Sequence, residues 1–292
     1  MKCRRISTAL LSAAGIFFLI IDGKTAIAGI AEGIRVCFRS VIPSLFPFFV
    51  LGSLLTGAIL GCRIPVLQSL GQLFQIPKGA ESLLLIGFLG GYPVGAQTIS
   101  RAYQNGQLSQ QAAERMLVFC NQPGPSFLFG ILGPILSARK AALLWGIQMI
   151  SALLVSLSIP AIPEQTVIQP QEPINLPTAL NQGIRILANV CGWITLFRMI
   201  IAFAERWLLW MLPAEWKVGI IGIMELANGC LTLPQITKES TQLLICSGIL
   251  SFGGICVTMQ TVSVTDDLHL RSVGCFGCFQ QNGKSESSEL WN

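Results

Sequence analysis

The sequence has little charge and almost no histidine. Only 11% of its 292 residues are charged and 52% are hydrophobic, whereas soluble domains carry about 25% charged residues. His269 is the single histidine, which argues against a histidine-based metal centre or a Ser-His-Asp triad. The net charge of +5 is spread along the chain, without the basic cluster that nucleic acid needs. This composition predicts a multi-pass protein of the lipid bilayer that is neither an enzyme nor a nucleic-acid-binding protein.

The ten cysteines indicate buried positions rather than a metal site. Most of them lie inside apolar runs, where cysteine packs as a small hydrophobe. Cys275 and Cys278 form one CxxC motif, and no second pair follows to complete a zinc site. No metal and no cofactor are therefore predicted.

Long apolar runs divide the chain into membrane segments. Residues 1–24 have a basic end and an apolar run, which is typical of either a signal peptide cleaved after Ala26 or Ala28 or an uncleaved first helix. We favour the uncleaved helix, because no polar domain follows. Residues 25–41 have the pattern of an amphipathic helix, and residues 42–61 and 138–160 are long enough to span a bilayer.

A proline-rich linker separates two similar parts of the chain. Residues 161–177 contain four prolines and no basic residue. They divide a first repeat, 25–160, from a second repeat, 178–265, and a polar tail, 266–292, follows. Three pairs of segments match in the same order on the two sides: EGIRV (32–36) with QGIRI (182–186), 83–101 with 218–238, and 117–130 with 243–260.

Glycine and proline interrupt the apolar runs at matched positions. In GFLGGYPVGAQ, residues 87–97, they disfavour continuation of a helix. A broken helix is tolerated in lipid only where protein buries it or a wet cavity meets it, and paired breaks indicate the central site of a transporter. The alternative is a set of plain helix kinks. We expect chain reversals or unwound backbone near 90–93, 121–125, 227–229 and 252–254, close together near the middle of the membrane.

Few polar side chains accompany these breaks. Glu225 is predicted to bind a coupling proton or cation or to hydrogen-bond a substrate, or else to lie at the interface beside Lys217. Arg198 either pairs with Glu205, seven residues later on one helix face, or holds an anion. The amides near the breaks either contact a solute or link helices. The residues predicted to contact a solute are Gly91, Tyr92, Pro93, Asn121, Gln122, Pro123, Arg198, Asn228, Gly229, Gly253, Gly254 and Gln260.

The motifs around the breaks resemble those of the YlbJ-like sporulation integral membrane proteins, within the nucleoside-recognition, or Gate, domain superfamily. The likeness is carried by GGYPVGA (90–96), AERMLVFCNQPGPSFLFG (113–130), GIMELANGC (222–230) and FGGICVTMQ (252–260). It implies a fold like that of the concentrative nucleoside transporters. We accordingly expect an all-α polytopic protein with two related halves, re-entrant hairpins and broken helices.

The resemblance also implies a function. It suggests a cell-membrane protein of a spore-former, in the membranes around the forespore, that moves a small anionic solute such as dipicolinate. A non-transporting scaffold for spore assembly and an ion-gating subunit are the alternatives, and assembly into a homo-oligomer stays open. The chain departs from the family in its polar end, 266–292, which is expected to be poorly ordered and not to span. It also has Thr258 where a histidine-like residue is expected.

Overall fold

The computed structural model describes residues 2–62, 65–74, 76, 80–159, 168, 169 and 173–265, and this part of the chain contains helices but no strand. The tail 266–292, with its CxxC motif, and most of the predicted linker lie outside the described residues. The α-helices are α1 Lys2–Ile21, α2 Gly23–Val36, α3 Ile42–Ile59, α4 Pro65–Leu73, α5 Glu81–Gly90, α6 Val94–Gln104, α7 Gln110–Cys120, α8 Pro125–Phe127, α9 Gly133–Leu136, α10 Ala138–Ser158, α11 Leu176–Trp207, α12 Ala214–Met224, α13 Leu226–Thr232, α14 Glu239–Phe252 and α15 Gly254–Val264.

In the part of the chain that the structure describes, four helical stretches are long and apolar enough to cross a membrane, so the prediction of a polytopic membrane protein is confirmed. The N-terminal helix α1 is not one of them, and its apolar part, Ser12–Ile21, is shorter. The four stretches are Gly23–Ile59, Ala138–Ser158, Leu176–Trp207 and Glu239–Val264.

The first of these stretches is one continuous helix, whereas the sequence suggested an amphipathic helix followed by a separate span. A π-helical segment, Cys37–Val41, joins α2 to α3, and the Ile42 N–H donates to the Cys37 carbonyl. Pro43 has no N–H to donate to the preceding turn. The wider π turn lets the chain remain helical past this proline.

The long helices α2–α3 and α11 pack antiparallel at close range. Gly33 lies against Thr195, while Gly183, near the other end of α11, lies against Val50. A Cβ atom added to Gly33 would lie only 2.8 Å from the Thr195 Cα atom. Glycine at these positions therefore sets the short distance between the two helices.

Exposed tryptophans mark one membrane interface. Trp207, Trp210 and Trp216 lie at the end of α11, in the following turn and at the start of α12, and all three are exposed. Tryptophan is enriched at the level of the lipid headgroups. The eleven residues of α12 then carry the chain about 16 Å inward, roughly half of a hydrocarbon core about 30 Å thick. With the tryptophans at the headgroups, this length corresponds to a position near the middle of the membrane for Glu225, at the end of α12.

Two helical hairpins reverse the chain inside the protein, and each has a close glycine contact. In the first, α5 and α6 are joined at residues 91–93, and Gly95 packs against Gly87 and the Cys120 carbonyl. In the second, α12 and α13 are joined at Glu225, and Gly229 packs against Gly222. The reversal expected near 227–229 lies at Glu225, two residues earlier, and residues 227–229 themselves are helical.

We predict that Gly229→Ala destabilises the protein. The new Cβ atom would lie 2.2 Å from the Gly222 Cα atom, and overpacking of this kind costs about 1–3 kcal/mol. Thermal unfolding of the purified protein in detergent measures the effect. Gly219→Ala is the matched control on α12, because nothing lies within 4 Å of its added Cβ atom. Equal melting temperatures for the two variants would contradict the close packing of α13 on α12.

Candidate functional site

The two breaks of the first half lie against each other. The Tyr92 N–H donates to the Gln122 carbonyl at 3.1 Å. Gly91 has a φ of 64°, and a Cβ atom added there would lie 2.4 Å from the backbone nitrogen of Gly124. The loop after α5 and the loop after α7 are thus held together by backbone contacts that only glycine permits.

The two breaks of the second half also meet, and one contact joins them to the first half. Gly253 ends α14 in the left-handed conformation, with φ 78°. Gly254 follows with φ 84° and lies close to the Gly222 carbonyl and the Leu226 backbone nitrogen. Asn121 Nδ2 donates to Thr261 Oγ1 at 2.9 Å, from the second break to α15. The structure therefore brings all four breaks together in the helix bundle.

The carboxylate of Glu225 caps helix α13. The side chain is buried, with 2% of its surface exposed. Oε1 accepts the Ala227 N–H at 2.9 Å, and Oε2 accepts both the Asn228 N–H and its side-chain Nδ2, each at 2.6 Å. These bonds satisfy N–H groups that a helix start inside a membrane would otherwise leave unpaired.

A small central cavity lies where the breaks converge. Its volume is about 30 Å³, which is roughly the space of one water molecule. Tyr92, Ser126, Glu225 and Gln260 contribute polar groups to its wall, and the rest of the lining is mostly apolar. The centre of the bundle is therefore closed to any larger solute in this conformation.

A second, larger cavity contains most of the charge. Its volume is about 310 Å³. The charged residues of its lining are Arg35, Arg39, Arg198, Glu32 and Glu205. Asn228 also lines it, and the Asn228 side chain donates to Glu225, which lines the central cavity. The hydrogen-bonded pair Asn228–Glu225 is thus the wall between the charged cavity and the central cavity.

Arg198 forms the predicted pair with Glu205, and its predicted role in holding an anion stays a prediction. Its Nη1 lies 2.9 Å from Glu205 Oε2, and Lys217 Nζ lies 3.2 Å from the other oxygen of that carboxylate. Arg198 also lines the charged cavity. Lys217 and Glu225 lie toward opposite ends of α12, so the alternative placement of Glu225 at the interface beside Lys217 does not hold.

The predicted solute contacts fall into three groups. Tyr92 and Gln260, with Glu225, line the central cavity, while Arg198 and Asn228 line the charged cavity. The remaining predicted residues line neither cavity and instead shape the backbone around the breaks. They are Gly91, Pro93, Asn121, Gln122, Pro123, Gly229, Gly253 and Gly254.

Sequence reasoning missed a buried arginine. Only 3% of the surface of Arg115 is exposed, and its guanidinium donates to the carbonyls of Phe74, Ser156 and Ile159. It thereby satisfies carbonyls at the C-terminal ends of α4 and α10. The apolar residues after it, MLVFC, were the signal for a buried cation.

In the described residues, no group of three or more His, Cys, Asp or Glu side chains could hold a metal ion.

We predict that Glu225→Gln lowers stability, because glutamine presents one acceptor oxygen where the carboxylate presents two. The lost cap and the unpaired N–H should cost about 1–3 kcal/mol. Thermal unfolding in detergent checks this expectation. Glu215→Gln is the control, since Glu215 is exposed in the first turn of α12. A Glu225→Gln protein as stable as this control would show that the cap contributes little.

Comparison with known proteins finds a similar sporulation membrane protein. No protein-family model and no solved structure matches the chain. The sporulation integral membrane protein YlbJ of Bacillus subtilis (strain 168) is 24% identical over an alignment of 321 residues, which covers 93% of this chain and 79% of that protein. Together with the four apolar stretches, this likeness indicates a multi-pass membrane protein of sporulation. It supports the YlbJ-like resemblance predicted from the motifs, while the link to the Gate superfamily stays a prediction.

Proposed function

We propose that this protein carries a small anionic solute, such as dipicolinate, across a membrane during sporulation. The observation that carries the proposal is the convergence of four helix breaks on a buried carboxylate between two cavities. Breaks of this kind near mid-membrane mark the binding sites of transporters built from repeats. The likeness to a sporulation protein supplies the biological setting.

The packing of the two hairpins supports the proposed pair of related halves. Gly87 and Gly222, which the sequence matches to each other, each pack against a glycine that follows the break, Gly95 and Gly229 respectively. Gly87 also lies against Cys120 on α7, and Gly222 against Ile249 on α14. The helix after each hairpin thus contacts the hairpin in a corresponding way, as in inverted-repeat carriers with a nucleoside-transporter-like fold.

The charges support an anion as the solute. Arg35, Arg39 and Arg198 face the larger cavity, and guanidinium groups bind carboxylates with two parallel hydrogen bonds. The central cavity holds about one water molecule in this conformation. Transport therefore requires the wall of Asn228 and Glu225 to open, with movement of the α12–α13 hairpin.

A non-transporting scaffold is the second candidate, and the hydrogen bonding of Glu225 favours it. All three donors around this carboxylate are supplied by its own helix start. A buried carboxylate used only as a cap, beside a closed cavity, would stabilise a helix bundle without moving a solute.

Uptake by reconstituted protein tests the proposal against the scaffold. Proteoliposomes that contain the full chain should accumulate labelled dipicolinate faster than protein-free vesicles, because the protein lowers the cost of moving the dianion across lipid. Labelled nucleosides are the control for specificity. Uptake equal to that of protein-free vesicles, from correctly folded protein in both orientations, would favour the scaffold.

The proposed coupling role of Glu225 gives a pH prediction. Wild-type uptake should respond to an imposed pH gradient, whereas Glu225→Gln should lose that response because glutamine cannot exchange a proton. The comparison is made below the melting temperature of both proteins, with Glu215→Gln as the charge-matched control. If Glu225→Gln keeps the wild-type response to pH, Glu225 is a structural cap and another group couples transport.

A further inference from the structure

Building on the proposed function, we propose that the charged cavity is an outer binding site for a small dicarboxylate, separate from the central cavity. Arg35, Arg39 and Arg198 would bind its carboxylates, and Asn228 would close its inner end. The sequence motifs did not identify Arg35 or Arg39 as part of a binding site. The wall of this cavity supplies the charge, the size and the position that such a site needs.

The charge of the cavity is unbalanced in favour of an anion. Three guanidiniums line it together with two carboxylates. Glu32 Oε2 lies 2.6 Å from Arg35 Nη1, and Glu205 holds Arg198. Glu205 also binds Lys217, so its negative charge is shared between two cations. One positive charge in the lining therefore has no counter-ion in the cavity.

Arg39 is the cation without a partner. In the described part of the chain, its guanidinium makes no hydrogen bond or ion pair, although it lines the same cavity as the two paired arginines. The carboxylates of Glu32 and Glu205 show that the neighbouring guanidiniums are placed to bind that chemical group. A dicarboxylate would engage Arg39 with one group and compete with a glutamate through the other.

The volume and the position of the charged cavity favour a binding site for a solute that moves toward the centre of the bundle. At about 310 Å³ the cavity falls in the range of ordinary small-molecule sites, while the central cavity has about a tenth of that volume. Asn228 and Thr232 of α13 lie in its lining. The Asn228 side chain is bonded to Glu225, so movement of the α12–α13 hairpin that separates this pair would connect the two sites.

The inner lining favours a soluble dicarboxylate over a lipid headgroup. A lipid headgroup would need only the exposed arginines, Arg35 and Arg39. The cavity also includes Arg198, which is mostly buried, and the amide of Asn228 against the central wall. A ligand that reaches all of these groups must be small and must enter the bundle.

Equilibrium binding of pyridine-2,6-dicarboxylate to the full chain in neutral detergent tests the site without requiring transport. Arg39→Gln should weaken the Kd by about tenfold, the loss expected for one charge-assisted hydrogen bond. Arg185→Gln is the matched control and should bind as wild type. Arg185 corresponds to Arg35 in the second repeat, is exposed and does not line the cavity. Because Arg39 is exposed and without a partner, its substitution should leave the melting temperature unchanged.

Three outcomes would overturn the outer site. They are the absence of dicarboxylate binding by the wild type, equal affinity in Arg39→Gln and wild type, and loss of binding when phosphatidylglycerol is added to the micelles, which would identify a headgroup site. Failure of the proposed function gives a different result, namely Arg39-dependent binding in detergent without uptake in vesicles. Uptake combined with dicarboxylate binding that does not depend on Arg39 would support the carrier function and contradict the outer site.

Discussion

The fold depends on satisfying helix ends inside an apolar bundle. An unpaired backbone N–H or C=O group in a membrane interior costs several kcal/mol, so each break needs its own partners. The Glu225 carboxylate supplies them for the start of α13. The Gln122 carbonyl accepts the Tyr92 N–H between the two loops of the first half. Arg115 does the same for carbonyls at the ends of α4 and α10.

Close glycine contacts then hold in place the helix ends whose backbone groups are hydrogen-bonded in this way. Membrane helices gain little from the hydrophobic effect and associate mainly through tight packing, which small residues allow. Gly95 and Gly229 bring each hairpin's second arm onto its first, and Gly33 brings α2 onto α11. The central cavity and the charged cavity lie between elements positioned in this way. The positions of both cavities therefore follow from the points at which glycine allows two helix backbones to come into contact.

The sequence predicted three of the four breaks because glycine and proline act locally. The breaks at residues 91–93, 121–124 and Gly253 follow from backbone freedom and the missing N–H of proline. The fourth was predicted only approximately, near 227–229, and lies at Glu225, because Asn-Gly was interpreted as the breaker whereas Gly229 is needed for contact with Gly222. Glutamate is not among the preferred N-cap residues, so Glu225 gave no capping signal.

The charged cavity could not be predicted, because it depends on contacts between distant segments. Arg39 lies on the helix before α3 and Arg198 on α11, and only the antiparallel packing of these helices brings both to one space. The pairing of Arg198 with Glu205, in contrast, follows from their spacing of seven residues on one helix. Local spacing was therefore informative for pairs within a helix and uninformative for sites between helices.

The cap and the proposed coupling role of Glu225 are physically linked. Hydrogen bonds to a carboxylate are roughly twice as strong as those to a neutral group, and this carboxylate accepts three of them at the start of α13. Protonation would weaken all three at once. The Asn228 side chain, which separates the two cavities, is held by one of these bonds. A proton on Glu225 would therefore lower the cost of opening the wall, so a group that stabilises the closed bundle can also be the group that couples protons to solute movement.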